Sequence, residues 1–218
     1  MRLLEKGLHG GLGSGNLGLV LAGHGVGKTP FLVGVALDDL LRGHAVLHIA
    51  LDQTVAHTRA YYDTVFDDFA AHAHLDDEAV VHAQVDRLRS IRAYPAQGFD
   101  AAKLREALKH EAEGGNVPSA VILEGVDVAA TQPAELAELR DLAGEQGIEI
   151  WLSVACATEK VDALPPEVGH GPEAFDVILA LEPGGDSVLL RAFKDHDNPD
   201  VANLHVALDP RTLLLVRH

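Results

Sequence analysis

The strongest constraint on how this chain can fold is an apolar segment that runs straight into a glycine-rich turn and then into an apolar helix. It reads Leu-Val-Leu-Ala-Gly-His-Gly-Val-Gly-Lys-Thr over residues 19–29. Glycines allow successive backbone N–H groups to converge on one point, and the positive end of the following helix favours phosphate oxygens. The order of strand, glycine-rich turn and helix, with Lys28 and Thr29 closing the turn, predicts a phosphate-binding loop.

The loop assigns a role to each of its residues in binding a nucleoside triphosphate with Mg²⁺. Lys28 is predicted to reach the β- and γ-phosphates and to assist catalysis, and the Thr29 hydroxyl to bind Mg²⁺. Ala22 stands where the usual G-x-x-x-x-G-K-T pattern begins with glycine. The alternative is a glycine-rich turn that carries a lysine by chance. The predicted ATP-binding residues are Gly23, His24, Gly25, Val26, Gly27, Lys28, Thr29 and Pro30.

Composition and net charge limit the classes of binding partner and the cellular compartment that we expect for this chain. The formal net charge is −16 and no basic run is present, which disfavours DNA and anionic membranes as partners. The lone cysteine, Cys156, gives no disulfide framework, and the first six residues lack the apolar core of a signal peptide. The thirteen histidines are scattered, so a histidine metal site is the less favoured alternative. We expect a cytoplasmic protein without a membrane span.

Alternating apolar strands and helices predict an α/β fold with a mostly parallel sheet. Four shorter strands in the tail, separated by turn residues, are expected to extend the sheet as hairpins. We find no linker or repeat and predict a single domain over 1–218. The predicted strands are Leu17–Leu21, Ala45–Leu51, Ser90–Tyr94, Ala120–Leu123, Ile148–Ala155, Asp176–Leu181, Ser187–Phe193, Leu204–Leu208 and Leu213–Val216. The predicted helices are 28–41, 55–73, 76–89, 101–113 and 134–145, with a loop around 165–172.

The segment before the loop carries a resemblance to a known family. Gly10-Gly-Leu-Gly-Ser-Gly-Asn-Leu17 leads directly into the strand, and it resembles the entrance of the RecA-like ATPases, in particular the KaiC and RadA/RadB-like branch. The order of the later elements is also similar. The resemblance implies a three-layer RecA-like P-loop NTPase fold whose mostly parallel sheet is extended by antiparallel C-terminal hairpins. It further implies ATP and Mg²⁺ as cofactors and is compatible with a homo-oligomer that has the site at a subunit interface, with a monomer or a dimer as the alternative.

Two acidic positions correspond to catalytic positions of that family. Asp52 follows the second strand, where the family has a glutamate that polarises the attacking water, and Gln53 stands beside it. The alternative is that Asp52 only caps the next helix. Glu124 ends an apolar strand where the family has an aspartate near Mg²⁺, and it is a predicted catalytic and metal-binding residue. Gly125 replaces a hydroxyl residue, and Asp127 is a nearby substitute.

Three further positions resemble the family only in part. Ser153 stands where a polar residue senses the γ-phosphate, although a buried serine bonded to backbone is an equal alternative. In the tail, Lys194 matches a lysine that reaches the neighbouring subunit's site, but His196 replaces the arginine. A neutral imidazole cannot stabilise transition-state charge as guanidinium does. We therefore do not expect activation between subunits.

These features predict a protein that binds ATP with Mg²⁺ and hydrolyses it slowly, in a regulatory or assembly role with an unidentified protein partner. The first alternative is a nucleotide-binding regulatory module without turnover, whose loops respond to ATP and ADP. DNA handling of the recombinase type has the right fold but the wrong charge, and it ranks last.

Overall fold

The structure is a computed structural model that describes residues 4, 7–8, 10–161, 163–169, 171–198, 201, 204, 206–209 and 215–217. Within this part of the chain nine strands form one sheet, in the order β3-β2-β4-β5-β1-β6-β7-β8-β9. The strands are β1 Leu17–Gly23, β2 Ala45–Leu51, β3 Arg89–Tyr94, β4 Pro118–Glu124, β5 Glu149–Cys156, β6 Val177–Pro183, β7 Val188–Asp195, β8 Val206–Leu208 and β9 Leu215–Arg217.

The sheet is parallel from β3 to β6 and antiparallel beyond. Strand β1 lies between β5 and β6 and pairs with both in parallel. Strands β7, β8 and β9 follow as antiparallel neighbours. The predicted α/β class, a mostly parallel sheet with antiparallel strands at the end, is therefore confirmed. Because parallel strands run in one direction, the ends of β1, β2, β4 and β5 meet along a single edge, where loops from different strands converge.

Helices cover both faces of the sheet. They are α1 Lys28–Leu41, α2 Val55–Ala73, α3 Glu78–Leu88, α4 Ala101–Glu113 and α5 Pro133–Gln146, with short 3₁₀ turns at Pro166–Val168 and Pro172–Ala174. Alternate residues of β1 point to opposite sides. Val20 and Ala22 pack with the layer of α1, α2 and α3, whereas Leu19 and Leu21 pack with α4 and α5. The result is three layers. None of the helices in the described residues is long and apolar enough to cross a membrane.

Within the described residues the predicted boundaries agree with the structure to within about two residues. The predicted ranges of α1, α2, α4 and β2 are confirmed residue for residue, and Asp100 caps α4 by accepting from the Lys103 N–H. Helix α3 begins two residues later than predicted because Asp77 takes the N-cap position. The predicted loop around 165–172 contains the two 3₁₀ turns. Of the predicted tail strands, residues 205, 213 and 214 lie outside the described residues.

A glycine pair on β1 and α5 tests how tightly the central layer is packed. A Cβ on Gly18 would come 2.5 Å from the Trp151 ring, whereas a Cβ on Gly144 would meet no atom within 4 Å. We expect Gly18→Ala to lower the free energy of unfolding by about 1–3 kcal/mol, because overpacking strains a dense core. Gly144→Ala, the control, is expected to raise it by roughly 0.5–1 kcal/mol. Urea unfolding followed by Trp151 fluorescence measures both, and equal effects would contradict the packing.

Candidate functional site

The glycine-rich loop lies between the end of β1 and the start of α1, at the edge where the parallel strands end. Gly25 and Gly27 have φ values of 75° and 116°, which side chains rarely adopt, and Gly27 is the N-cap of α1. The first turn of α1 contains no acidic residue, so its N-terminal N–H groups and its dipole favour an anion. A cavity of about 380 Å³ opens over it, lined by Gly25, Val26, Gly27, Lys28, Thr29, Pro30, Tyr61, Val188 and Leu208.

Lys28 folds back over the loop. Its Nζ donates to the backbone carbonyls of Ala22 at 3.3 Å and Gly23 at 3.2 Å. Burial lowers the pKa of Lys28, although the nearby Cys156 and Glu124 act in the opposite direction. The ammonium therefore lies in the cavity wall with weak neutral partners, which phosphate oxygens would replace with a stronger charge-assisted contact.

Glu124, at the end of β4, joins four elements. Its Oε1 accepts from the Thr29 hydroxyl at 2.8 Å and from the Ser153 hydroxyl at 3.4 Å. Its Oε2 lies 3.1 Å from Nε2 of His48. The structure thus brings together Lys28, Thr29 and Glu124, the predicted loop and metal residues, and it adds Ser153 and His48 as partners of the same carboxylate.

The environment of Glu124 keeps its carboxylate ionised. Burial by itself raises the pKa of Glu124, but the interactions with His48, followed by those with the hydroxyls of Thr29 and Ser153, outweigh burial and leave the pKa below its usual value. An ionised carboxylate beside a threonine hydroxyl is a donor set that suits Mg²⁺, which takes one or two protein ligands and completes its shell with phosphate and water. Within the described residues no cluster of three or more metal-binding side chains occurs.

Asp52 lies past the end of β2, next to β4, since Ala50 pairs with Glu124. Its φ is 55°, and its Oδ1 accepts from the Ala96 N–H at 3.0 Å. The alternative that Asp52 caps α2 is wrong, because Thr54 is the N-cap and its side chain accepts from the His57 N–H. The Asp52 side chain is exposed and is oriented by the turn after β3.

The residues after β4 do not add a second carboxylate to Glu124. Gly125 has φ 92°, and a Cβ there would come 2.8 Å from the Leu51 carbonyl oxygen, so this position excludes a hydroxyl side chain. Asp127 accepts from the Ala130 N–H at 3.1 Å and stabilises the turn that follows.

The tail positions are bound within the chain. The His196 ring contacts Asp195 Oδ1 at 3.0 Å and the Leu12 carbonyl oxygen at 2.9 Å. Burial acts to lower the pKa of His196, but these two acceptors raise it overall. Lys194 pairs with Ile178 across the β6–β7 ladder. His196 therefore links the tail to the glycine-rich entrance segment of its own chain.

Sequence reasoning missed three features of the site. Leu208 packs on the loop, since a Cβ on Gly27 would lie 3.3 Å from its Cδ2, and this contact arises from strand pairing far along the chain. The segment after β5 covers Gly23, whose added Cβ would lie 2.9 Å from Glu159 Cα. The third feature is His48. It is the single polar residue in the apolar run Ala-Val-Leu-His-Ile-Ala-Leu, a pattern that indicates a buried polar group with a specific partner.

Comparison with known proteins finds a distant relative. The chain is 25% identical over 189 residues to a DnaB-like replicative helicase of Enterobacteria phage T4, and the match covers 75% of this chain. It covers only 40% of the helicase. No family model matches the chain. This distant likeness and the α/β sheet are compatible with a RecA-like nucleotide-binding domain.

The lowered pKa of Glu124 predicts a pH-dependent contribution to stability. A carboxyl whose folded pKa is depressed stabilises the fold above its unfolded pKa of about 4.3, and this stabilisation is lost as pH falls through the folded pKa. We expect Glu124→Gln to reduce the free energy of unfolding near pH 7 and to approach the parent protein below about pH 4. Urea unfolding from about pH 7 down through the acid range below about pH 4 measures the difference, with the exposed Glu106→Gln as control. A difference independent of pH would contradict it.

Proposed function

We propose that this chain is a RecA-like P-loop domain that binds ATP with Mg²⁺ and hydrolyses it slowly. The observation that carries the proposal is the hydrogen bond of 2.8 Å between Thr29, at the end of the glycine-rich loop, and Glu124, at the end of β4. A hydroxyl and a carboxylate are the ligands that a magnesium-nucleotide site requires beside a phosphate-binding loop. The distant likeness to a replicative helicase supports the same assignment.

The binding step follows from the chain's own groups. The N–H groups of residues 23–29 and the N-terminus of α1 would hold the phosphate oxygens. Lys28 would leave the carbonyls of Ala22 and Gly23 for the β- and γ-phosphates. Thr29 and Glu124 would hold Mg²⁺, which neutralises charge on the phosphates when bound. The apolar side chains of Val188 and Leu208, which line the same cavity, would contact the nucleobase.

Hydrolysis is assigned to Asp52 as general base. A water oxygen forms a bond to the γ-phosphorus, the bond from that phosphorus to the β–γ bridging oxygen breaks, and Asp52 accepts the water proton. Asp52 must first release the Ala96 N–H that it binds at 3.0 Å. Gln53 can orient the water but cannot take its proton. Residue 196 is a histidine bound to Asp195 and to the Leu12 carbonyl. This position therefore supplies no guanidinium to stabilise transition-state charge, and we propose slow turnover.

The second candidate is a nucleotide-binding regulatory module without turnover, in which ATP and ADP control a protein partner. The observation that favours it is the Asp52 carboxylate, which is bound to the turn after β3.

A DNA-handling role is less favoured, because a formal net charge of −16 opposes binding of a polyanion. We also propose a single cytoplasmic domain that associates as a homo-oligomer.

Lys28 provides the test of nucleotide binding. We expect Lys28→Ala to weaken binding of a non-hydrolysable ATP analogue with Mg²⁺ by roughly 10- to 100-fold, since a charge-assisted hydrogen bond contributes about 1.5–3 kcal/mol. Isothermal titration calorimetry measures the dissociation constants. Lys109→Ala is the control, because that lysine is exposed on α4 beside Glu113. Absence of binding by the parent protein, with Mg²⁺ in excess, would refute the proposed function.

Asp52 separates slow hydrolysis from binding alone. We expect Asp52→Ala and Asp52→Asn to reduce the single-turnover rate by about 10²- to 10⁴-fold, the usual contribution of a general base, while the ATP affinity stays within about threefold. Rapid mixing of excess protein with labelled ATP measures the rate. An unchanged rate would exclude Asp52 as the base, and no hydrolysis by the parent protein would favour the regulatory module.

A further inference from the structure

His48 is a fully buried imidazole in the middle of β2, with an exposed fraction of 0%. Its Nδ1 lies 3.2 Å from the Tyr62 hydroxyl oxygen and its Nε2 lies 3.1 Å from Glu124 Oε2. Burying an imidazole is costly unless both nitrogens have partners. Both partners here are side chains, and one of them is the carboxylate of the candidate site.

The partners set the direction of the hydrogen bonds. An ionised carboxylate can only accept, so Nε2 of His48 donates to Glu124. In the neutral form of the ring, Nδ1 is then the acceptor for the Tyr62 hydroxyl. Burial raises the pKa of Tyr62, which keeps that hydroxyl protonated and able to donate. The result is a buried chain that runs from Tyr62 through His48 to Glu124.

Glu124 gains a fixed orientation from this chain. A glutamate has three rotatable side-chain bonds, and its carboxylate must be immobilised before it can hold a cation at low entropic cost. Thr29 and Ser153 donate to Oε1, whereas His48 is the side-chain partner of Oε2. Both oxygens are thus held in place, and the Glu124 side chain is only 13% exposed.

Tyr62 is itself immobilised. The Arg89 guanidinium lies 4.8 Å from the centre of its ring, and the ring meets His48 edge-on, with centroids 5.7 Å apart. The Arg89 side chain is 6% exposed and pairs with Asp86. Tyr62 also follows Tyr61, which lines the cavity above the glycine-rich loop. The chain therefore connects helix α2 of the cavity wall with the carboxylate beside Thr29.

We propose that His48, held by Tyr62, is a positioning residue that fixes the Glu124 carboxylate for a divalent cation bound together with a nucleoside triphosphate. His48 touches neither the cation nor the phosphates and acts through Glu124 alone. The inference rests on the proposed function and extends it, because it names the residues that determine how strongly metal and nucleotide reinforce each other's binding. Partners that orient a metal ligand typically change metal affinity by about 10- to 100-fold.

The test compares the affinity of a non-hydrolysable ATP analogue with Mg²⁺ and with EDTA, by isothermal titration calorimetry. The ratio of the two affinities is the magnesium gain. We expect His48→Leu to reduce this gain by about tenfold or more and to leave the affinity in EDTA within about twofold. His48→Gln keeps a donor and is expected to recover most of the gain. Tyr62→Phe is expected to cause a smaller loss of about threefold, because the Nε2 donor remains.

Tyr94→Phe is the matched control, since it removes a tyrosine hydroxyl on β3 outside the chain of hydrogen bonds, and its gain should equal that of the parent protein. Circular dichroism and thermal unfolding establish that each variant folds. If His48→Leu does not fold, Tyr62→Phe decides. Folded variants that keep the full magnesium gain would overturn the inference and leave the proposed function intact. A parent protein that binds no analogue would refute the proposed function itself.

Discussion

The hydrogen bond between Thr29 and Glu124 is the contact on which the candidate site depends, because it joins the end of the glycine-rich loop to the central sheet. At 2.8 Å it holds a hydroxyl from the first turn of α1 against a carboxylate at the end of β4. Strand β1, which leads into the loop that carries Thr29, is separated from β4 by β5 in the sheet. Only a parallel arrangement brings their ends to one edge. The site is therefore a product of strand order.

The same carboxylate shows how a buried charge is stabilised in this fold. Glu124 is surrounded by donors, and the sum of their interactions exceeds the cost of removing the carboxylate from water. One donor, His48, is fully buried and lies next to the Tyr62 hydroxyl of α2. The Tyr62 ring in turn contacts Arg89 of β3. The network therefore extends from the edge of the sheet that carries the glycine-rich loop to the outer strand β3. The Glu124 carboxylate orients polar residues at both of these places.

The proposed chemistry separates binding from turnover. The groups assigned to binding, Lys28, Thr29 and Glu124, lie together in the structure. The positions that would accelerate hydrolysis do not lie with them. Asp52 is held by the turn after β3, and His196 is bound to the entrance segment of its own chain. This division is the physical basis for proposing slow hydrolysis, and it is also why a regulatory module without turnover is the second candidate.

Local sequence determined the elements, and tertiary structure decided which side chains meet. Apolar runs such as Ala45–Leu51 and the cap at Asp100 predict their strand and helix to the residue, because periodicity and capping act within a few positions. The glycine-rich loop was likewise predicted from a short stretch of sequence. The pairing of His48 with Glu124 and the packing of Leu208 on Gly27 were not, because they join residues 76 and 181 positions apart. Such contacts depend on strand order, which no local pattern encodes.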